Sequence, residues 1–296
     1  MTTKIIVILG PTASGKSNLA VDIALQHNGE VISADSRQIY KGLDIGTGKI
    51  THEEMKGITH HLLDIRNPNE TYSVAEWVHD ATEAINSIAS RGKIPIICGG
   101  TGFYISALVD GISLPDVPRN EELRKELEKL SPEVLFQKLT ALDPQRAAII
   151  DPQNKRRLER AIEIATEIGK VPEISARPNP EFEFLQIGIT TPDTELRQRI
   201  NTRLVTRIQQ GLIDEARELH TNGLSFERMR ALGLEYRYLA DLLEGILTES
   251  QFQEILATKI WQYARRQKAW FKRDSRIQWI RKSDTKDIDM MIKKFL

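Results

Sequence analysis

The sequence predicts an α/β fold, in which a parallel sheet is flanked by helices and an all-helical subdomain is inserted. Short apolar runs alternate with helical patterns over the first hundred residues, as in sheets that are covered on both faces. This alternation stops near Pro115 and Pro118, and only helical patterns follow. A further apolar run, "FLQIGIT", then restores the strand pattern.

The first half of the chain gives the elements of the sheet in order. "KIIVILG" predicts a strand, and a helix is predicted for residues 16–26. "EVISADS" and "HHLLDI" predict the second and third strands. Ser73 is a suitable N-cap for an amphipathic helix over residues 73–91. "IPIICGG" predicts the fourth strand, and residues 102–109 begin a helix again.

The second half separates an insertion from the rest of the core. Helical patterns alone run to about Ile174, and "ARPNPE" marks the boundary. After Pro192 the chain is predicted to be nearly all helix, with a short strand-like "IQWI" late on. We therefore expect a catalytic core with a helical C-terminal part in residues 1–114 and 181–296, and a helical insertion domain in residues 115–180.

Composition excludes several classes of protein. No apolar run approaches the roughly 20 residues of a membrane span, and the apolar N-terminus reads as a strand and not as a signal peptide. The one cysteine, Cys98, cannot form an internal disulfide, which excludes a cysteine-based zinc site and favours the cytoplasm. Acidic and basic residues balance at 41 each, yet residues 257–282 hold nine basic residues and one acid. Such a segment can bind an anionic polymer locally.

The stretch "GPTASGKS" is the strongest motif. It matches G-x-x-x-x-G-K-[ST] between a predicted strand and a helix, the context of a P-loop NTPase-like sheet. Glycines allow the backbone close to phosphates, the helix N-terminus adds positive potential, and the serine hydroxyl normally binds Mg²⁺. The residues predicted to hold phosphates are Gly10, Pro11, Thr12, Ala13, Ser14, Gly15, Lys16 and Ser17.

Two further strand ends point to the same crevice, because ligands of open α/β sheets collect at the carboxyl ends of strands. Asp35 follows the second strand and could bind Mg²⁺, cap the next helix or act as a base. Thr101 in "GGTGFY" offers a hydroxyl, although that stretch alone could be a tight turn. Asp64, which closes "HHLLDI", is at best an indirect neighbour of the metal.

Together, "GPTASGKS", "ADSRQIYKGLDIGT", "HHLLDI" and "GGTGFY" resemble the tRNA dimethylallyltransferase family over nearly the whole chain. The resemblance extends to "RRLERAIEI", "RINTRL" and "ARRQKAWF". It implies a cytoplasmic, Mg²⁺-dependent enzyme that moves a dimethylallyl group from dimethylallyl diphosphate to N6 of adenosine 37. This adenosine lies 3′ of the anticodon in tRNAs that read codons beginning with U. No obligatory protein partner and no membrane are implied, and a monomer is the default.

The resemblance also assigns the residues of the reaction. The loop residues with Lys16 would hold the donor diphosphate, and Ser17 would bind Mg²⁺. Arg203 would add a cation, with Arg199 and Arg207 as alternatives. Asp35 and Thr101 would meet the reacting amine, Asp35 as the base. Residues implied to contact the anticodon stem-loop are Asp35, Ser36, Arg37, Gln38, Thr101, Arg124, Arg156, Arg157, Arg160, Arg230, Gly233, Arg266 and Arg273.

Two features of this assignment stay open. Glu159 and Glu163 are close enough in sequence to bind Arg156, Arg157 and Arg160 as structural ion pairs. The stretch "LGLEYR" stands where many family members have a shorter "IGYR", which leaves the register of the tyrosine and arginine uncertain. The two arginine groups, in the insertion and in the C-terminal part, are expected to form the walls of one cleft.

Three other functions fit parts of the sequence. A P-loop kinase of small metabolites explains the loop but not "ADSRQIY" with "GGTGFY". An adenylate isopentenyltransferase that uses free AMP, ADP or ATP has little use for the insertion and the basic segment. A non-catalytic RNA-binding module leaves the phosphate loop without a role.

Overall fold

A single sheet determines where the candidate site lies. In the computed structural model, residues 2–173 and 175–296 are described, and the strands are β1 (Thr3–Leu9), β2 (Gly29–Ala34), β3 (His60–His61), β4 (Ile94–Gly99), β5 (Phe182–Thr190) and β6 (Gln278–Arg281). All of these strands pair in parallel, in the order β3-β2-β4-β1-β5-β6. Their carboxyl ends therefore meet at one edge, and the predicted α/β fold is confirmed.

Helices make up most of the remaining chain. Among those of the described residues, none is long and apolar enough to cross a membrane. They are α1 (Lys16–Gln26), α2 (His52–Met55), α3 (Val74–Ser90), α4 (Gly102–Val109), α5 (Glu121–Leu127), α6 (Pro132–Leu142), α7 (Pro144–Ala147), α8 (Lys155–Ile168), α9 (Asp193–Gln209), α10 (Leu212–Thr221), α11 (Phe226–Leu232), α12 (Leu234–Leu243), α13 (Glu249–Phe271) and α14 (Thr285–Phe295).

The central strands are mostly apolar because helices cover both of their faces. Residues Ile5–Leu9 of β1 are fully buried, and alternate side chains enter two different core clusters. Trp77 of α3 is also fully buried, and its indole N–H donates to the carbonyl of Ser33 at 2.9 Å. Ser73 caps α3 with a complete capping box, as predicted.

The predicted third strand is mostly wrong. Only His60 and His61 of "HHLLDI" pair with β2. Leu62 and Asp64 have φ angles of 61° and 55°, in the left-handed region, so the chain leaves the extended conformation there. The N–H of Asp64 instead donates to the carbonyl of Gln38 at 3.3 Å. A strand-like composition did not reveal this turn.

The chain divides into two compact units, residues 1–110 with 178–296 and residues 111–177. The second unit is helical and begins four residues before the predicted insertion. Leu127, Leu139, Leu158 and Ile162 are fully buried in its core. The helices end at Ile168, and the predicted end of the helical segment at residue 174 lies outside the described residues.

One buried carboxylate, that of Glu163, binds several donors within the helical unit. The Arg124 guanidinium donates to it twice, at 2.9 and 2.8 Å, and the N–H of Asn120 donates at 2.7 Å. Arg160 also donates to it and to the carbonyl of Val117. Burial alone would raise the pKa of Glu163, but these bonds outweigh it and lower the pKa to about 2.

Replacing Glu163 with glutamine is expected to destabilise the helical unit by about 3 kcal/mol, because two guanidiniums then lose a buried partner. The carboxylate contributes stability above its usual pKa of 4.5, and the contribution is lost as the pH falls through about 2. Amide hydrogen exchange of residues 111–177 in the full chain measures the change. Glu167→Gln on the exposed side of α8 is the control and should change stability by less than about 0.5 kcal/mol. Equal exchange in both variants would contradict the prediction.

Candidate active site

The phosphate loop connects β1 to α1, as its motif predicts. Gly10 and Gly15 have φ angles of 153° and 88°, values that side chains rarely allow. The loop lines a cavity of about 290 Å³, and the walls of this cavity are Ala13, Gly15, Lys16, Ser17, Asn18, Gly48, Ile50, Glu54, Arg199 and Arg203. Three cationic side chains therefore face one space beside a helix N-terminus, which is an arrangement that binds anions.

Lys16 lies at the inner end of this cavity. Its Nζ is 3.4 Å from the carbonyl oxygen of Pro11. Burial lowers the pKa of Lys16, and the neighbouring charge of Arg203 also lowers it, while that of Asp35 raises it. The charges of Asp35 and Arg203 thus act in opposite directions on the phosphate-loop lysine.

Asp35 and Thr101 lie at the ends of adjacent strands, β2 and β4. The hydroxyl of Thr101 accepts the N–H of Ser36 at 3.0 Å, and the N–H of Thr101 donates to Ala34 at 3.1 Å. Oδ1 of Asp35 accepts the N–H groups of residues 37 and 38 at 2.8 and 3.4 Å, so Asp35 caps a turn and not the helix that was predicted to follow it. In the described part of the chain, no hydrogen bond reaches Oδ2, and this oxygen is available to a ligand.

The three arginines of α9 differ in their surroundings. Arg199 is exposed and lies at the rim of the cavity, where it pairs with Glu195 at 2.6 Å. Arg203 is half-buried in the cavity wall and donates to the carbonyl of Gly48 at 3.1 Å. Arg207 is buried deeper and lies 3.6 Å from Glu235. Burial and the charge of Arg207 lower the pKa of Arg203 to about 10.

The loop that carries Gly48 is held by α10 and α12. Glu215 accepts the N–H groups of residues 44–46 at 2.9, 2.6 and 2.9 Å. The buried Tyr236 hydroxyl donates to the same carboxylate at 2.6 Å. Gln38, predicted to meet RNA, donates here to the carbonyls of Thr47 and Gly48 at 3.4 and 3.3 Å. The tyrosine of "LGLEYR" therefore has a structural contact.

The other residues predicted to contact RNA differ in whether their side chains are exposed or already engaged in ion pairs. Arg156 and Arg157 are exposed, whereas Arg124 and Arg160 bind Glu163. Arg230 pairs with Asp241 and Glu244, which leaves it less available than predicted. Arg37 approaches Gly233, since a β-carbon there would lie 3.8 Å from its Nη2. Two exposed residues contact aromatic rings, Arg266 on Tyr263 and Arg273 on Trp270.

Asp64, predicted at best as an indirect neighbour of the metal, lines a different cavity from the phosphate loop. It forms an ion pair with Lys49, which also pairs with Asp44. These three residues line a separate cavity of about 670 Å³. In the described residues, the lining of the phosphate-loop cavity does not include Asp64.

Comparison with known proteins identifies the family. The sequence model of the family described as IPP transferase matches residues 38–274, most of the chain. The chain belongs to the IPP transferase family. The match begins after the phosphate loop and Asp35, so the loop is evidence independent of it.

Curated relatives and solved structures resemble this chain over nearly all of its residues. A tRNA dimethylallyltransferase of Halalkalibacterium halodurans is 40% identical, over 98% of this chain and 93% of the relative. The crystal structure of a tRNA isopentenylpyrophosphate transferase of Bacillus halodurans has a TM-score of 0.73 at 37% identity, covering 99% and 96% of the two chains. A eukaryotic dimethylallyltransferase acting on tRNA has a TM-score of 0.81 at 27% identity, covering 99% and 77%.

Two further residues of the site, Gln267 and Lys282, are not among those predicted from the sequence. Gln267 of α13 is buried, accepts the N–H of Thr12 at 2.9 Å and donates to the carbonyl of Gly100 at 2.9 Å. Lys282 follows β6, and its Nζ would lie 3.3 Å from a β-carbon at Gly15. Gln267 could have been found because it is a polar residue on the buried side of a predicted helix. For Lys282 the signal was a cation just beyond a strand.

Proposed function

We propose that this protein transfers a dimethylallyl group from dimethylallyl diphosphate to N6 of adenosine 37 in tRNA. The proposal depends above all on one observation: Lys16 and Arg203 face the cavity of the phosphate loop that follows β1, and Asp35 follows β2 at the same edge of the sheet, with only β4 between the two strands. An anion site and a carboxylate thus lie at the same edge of the sheet. Both are required by a reaction in which diphosphate leaves a carbon atom and an amine loses a proton. The relatives' names supply the two substrates.

Lys16 and Arg203 would act on the leaving group. When the carbon–oxygen bond breaks, negative charge grows on the diphosphate, so cations aimed at it stabilise the transition state more than the ground state. The backbone N–H groups of the loop and the N-terminus of α1 add to this stabilisation. Because Arg207 is already beside Glu235, Arg203 is the better candidate of the two for the diphosphate.

Asp35 and Thr101 would act on the nucleophile. An exocyclic amine is a weak nucleophile, so it must be oriented and must lose a proton as the new carbon–nitrogen bond forms. The Oδ2 atom of Asp35 would accept that proton. The hydrogen bond between Thr101 and Ser36 holds the two strand ends together and keeps the carboxylate in place.

The residues of the cavity fit Mg²⁺. Ser17 offers a hydroxyl and Glu54 a carboxylate in the same lining, and Mg²⁺ prefers such oxygen atoms together with phosphate oxygens and water. Ser17 would hold the ion directly. When bound, the ion would neutralise part of the charge on the diphosphate.

The decisive experiment offers labelled dimethylallyl diphosphate to the purified protein with either total tRNA or AMP. Label on tRNA, with Mg²⁺ and without ATP, is the expected result. Label on AMP alone would favour an adenylate isopentenyltransferase. A strict need for ATP would favour a kinase and contradict the assignment of the donor.

For the anticodon stem-loop, we propose contacts from exposed arginines in both units. Replacing Arg156, Arg157, Arg266 and Arg273 with glutamine should weaken tRNA binding and flatten its salt dependence. The expected change is roughly one unit of log–log slope for each phosphate that an arginine no longer neutralises. Arg124 and Arg160 stay unchanged because they stabilise Glu163.

Filter binding at several salt concentrations measures the slope. Arg217→Gln, an exposed arginine that pairs with Asp214, is the control. Dimethylallyl diphosphate should bind to all variants with unchanged affinity. An unchanged slope in the four-residue variant would mean that these arginines are only solvated.

A further inference from the structure

Two guanidiniums pack against the same glycine in the donor cavity. A β-carbon at Gly48 would lie 1.6 Å from Nη2 of Arg207 and 2.1 Å from Nη2 of Arg203, so these nitrogens are at most the sum of those distances, 3.7 Å, apart. Each guanidinium donates a hydrogen bond to a carbonyl of the loop. Arg207 donates to Gly46, and Arg203 donates to Gly48. Like charges this close in a buried site repel each other strongly.

A nearby carboxylate, that of Glu235, pairs with one of these two guanidiniums. Its Oε1 lies 3.6 Å from Nη1 of Arg207, and the side chains of both residues are about one-tenth exposed, at 13% and 9%. Burial raises the pKa of Glu235, and the charge of Arg207 opposes this rise. Asp35 and Glu54 also act on Arg203, but neither makes an ion pair with it in the described residues.

The backbone before α12 directs Glu235 inward. Gly233 has a φ angle of 80° and Leu234 one of 35°, so the chain turns sharply between α11 and α12. Glu235 is the second residue of α12 and faces Arg207, and Tyr236 after it reaches Glu215. Consecutive side chains of one helical turn thus contact Arg207 and, through Glu215, the loop that packs against both arginines.

We propose that Glu235 is an internal counter-ion beside the donor site: it pairs with Arg207, and its carboxylate opposes the binding of diphosphate to the neighbouring Arg203. This inference rests on the proposed donor site. Without ligand, Glu235 relieves the repulsion between the guanidiniums. When diphosphate binds, the carboxylate repels it and keeps its affinity low, which favours release of the diphosphate product after transfer.

Isothermal titration of the full chain with inorganic diphosphate and Mg²⁺ tests this. Glu235→Gln, which keeps the size of the side chain and removes its charge, should bind diphosphate roughly 10-fold more tightly than the unaltered protein. Its melting temperature without ligand should be lower. Mere damage to the fold would instead weaken binding. Glu195→Gln is the matched control, because Glu195 is exposed beside Arg199 and should change affinity less than about 2-fold.

A second pair of variants covers the case that Glu235→Gln does not fold. Arg207→Met should bind diphosphate roughly 10-fold more weakly, and Arg207→Met/Glu235→Gln should return to within about 3-fold of the unaltered protein. The double variant leaves no buried charge of the pair unpaired. Equal affinity of these two variants would overturn the inference.

The two proposals can fail separately. If the unaltered protein binds diphosphate and Glu235→Gln binds no more tightly, only the role of Glu235 falls. If the unaltered protein binds no diphosphate, the proposed donor site falls and the role of Glu235 falls with it.

Discussion

Replacing Asp35 with asparagine is expected to lower the rate of prenyl transfer by about 10²–10⁴, the usual range for a lost general base. Asparagine keeps an oxygen that can accept the N–H groups of residues 37 and 38, so the turn should survive. It cannot take a proton from the adenosine amine. Single-turnover rates at saturating donor and tRNA measure this loss, since they exclude product release.

Asp64→Asn is the matched control for Asp35. Asp64 follows β3 at the same edge of the sheet, but its carboxylate pairs with Lys49. The rate of prenyl transfer by Asp64→Asn should stay within about 3-fold of that of the unaltered protein, because Asp64 lies outside the cavity lining. A near-normal rate for Asp35→Asn would reduce Asp35 to a cap of the turn.

Replacing Lys16 with alanine is expected to lower kcat/KM for dimethylallyl diphosphate by about 10²–10³, the cost of one lost donor to a developing negative charge. The loss concerns the donor because Lys16 lies within the phosphate-loop cavity. The affinity for tRNA should hardly change. Steady-state kinetics with varied donor, together with filter binding of tRNA, separates the two effects.

Lys56→Ala is the control for Lys16. Lys56 is an exposed lysine that pairs with Asp22 on the surface, and its removal should leave both substrates unaffected. Loss of tRNA binding in Lys16→Ala, with donor kinetics unchanged, would contradict the assignment of the loop to the diphosphate.

The parts of the candidate site whose place in the fold could be predicted from sequence are formed by short, local stretches. The phosphate loop needs only its own glycines and the elements on either side of it, and Asp35 needs only the end of β2. Their context could be derived from neighbouring residues. The start of α1 at Lys16 follows from the same motif.

The parts that sequence missed come from contacts between distant segments. Gln267 meets Thr12 across 255 positions, and Glu215 meets Ile45 across 170. No local pattern encodes such a pairing, because it depends on how helices pack after the sheet has formed. The prediction of the third strand was wrong for another reason. The residue types of "HHLLDI" do not indicate that Leu62 and Asp64 adopt left-handed conformations.

The contact of Gln267 has a consequence for synthesis on the ribosome. The phosphate loop leaves the exit tunnel long before Gln267 is translated, since 255 positions separate Thr12 from Gln267. Until then, the N–H of Thr12 and the carbonyl of Gly100 lack the side chain that joins them. A nascent chain therefore carries the phosphate loop without these two hydrogen bonds until Gln267 has been synthesised.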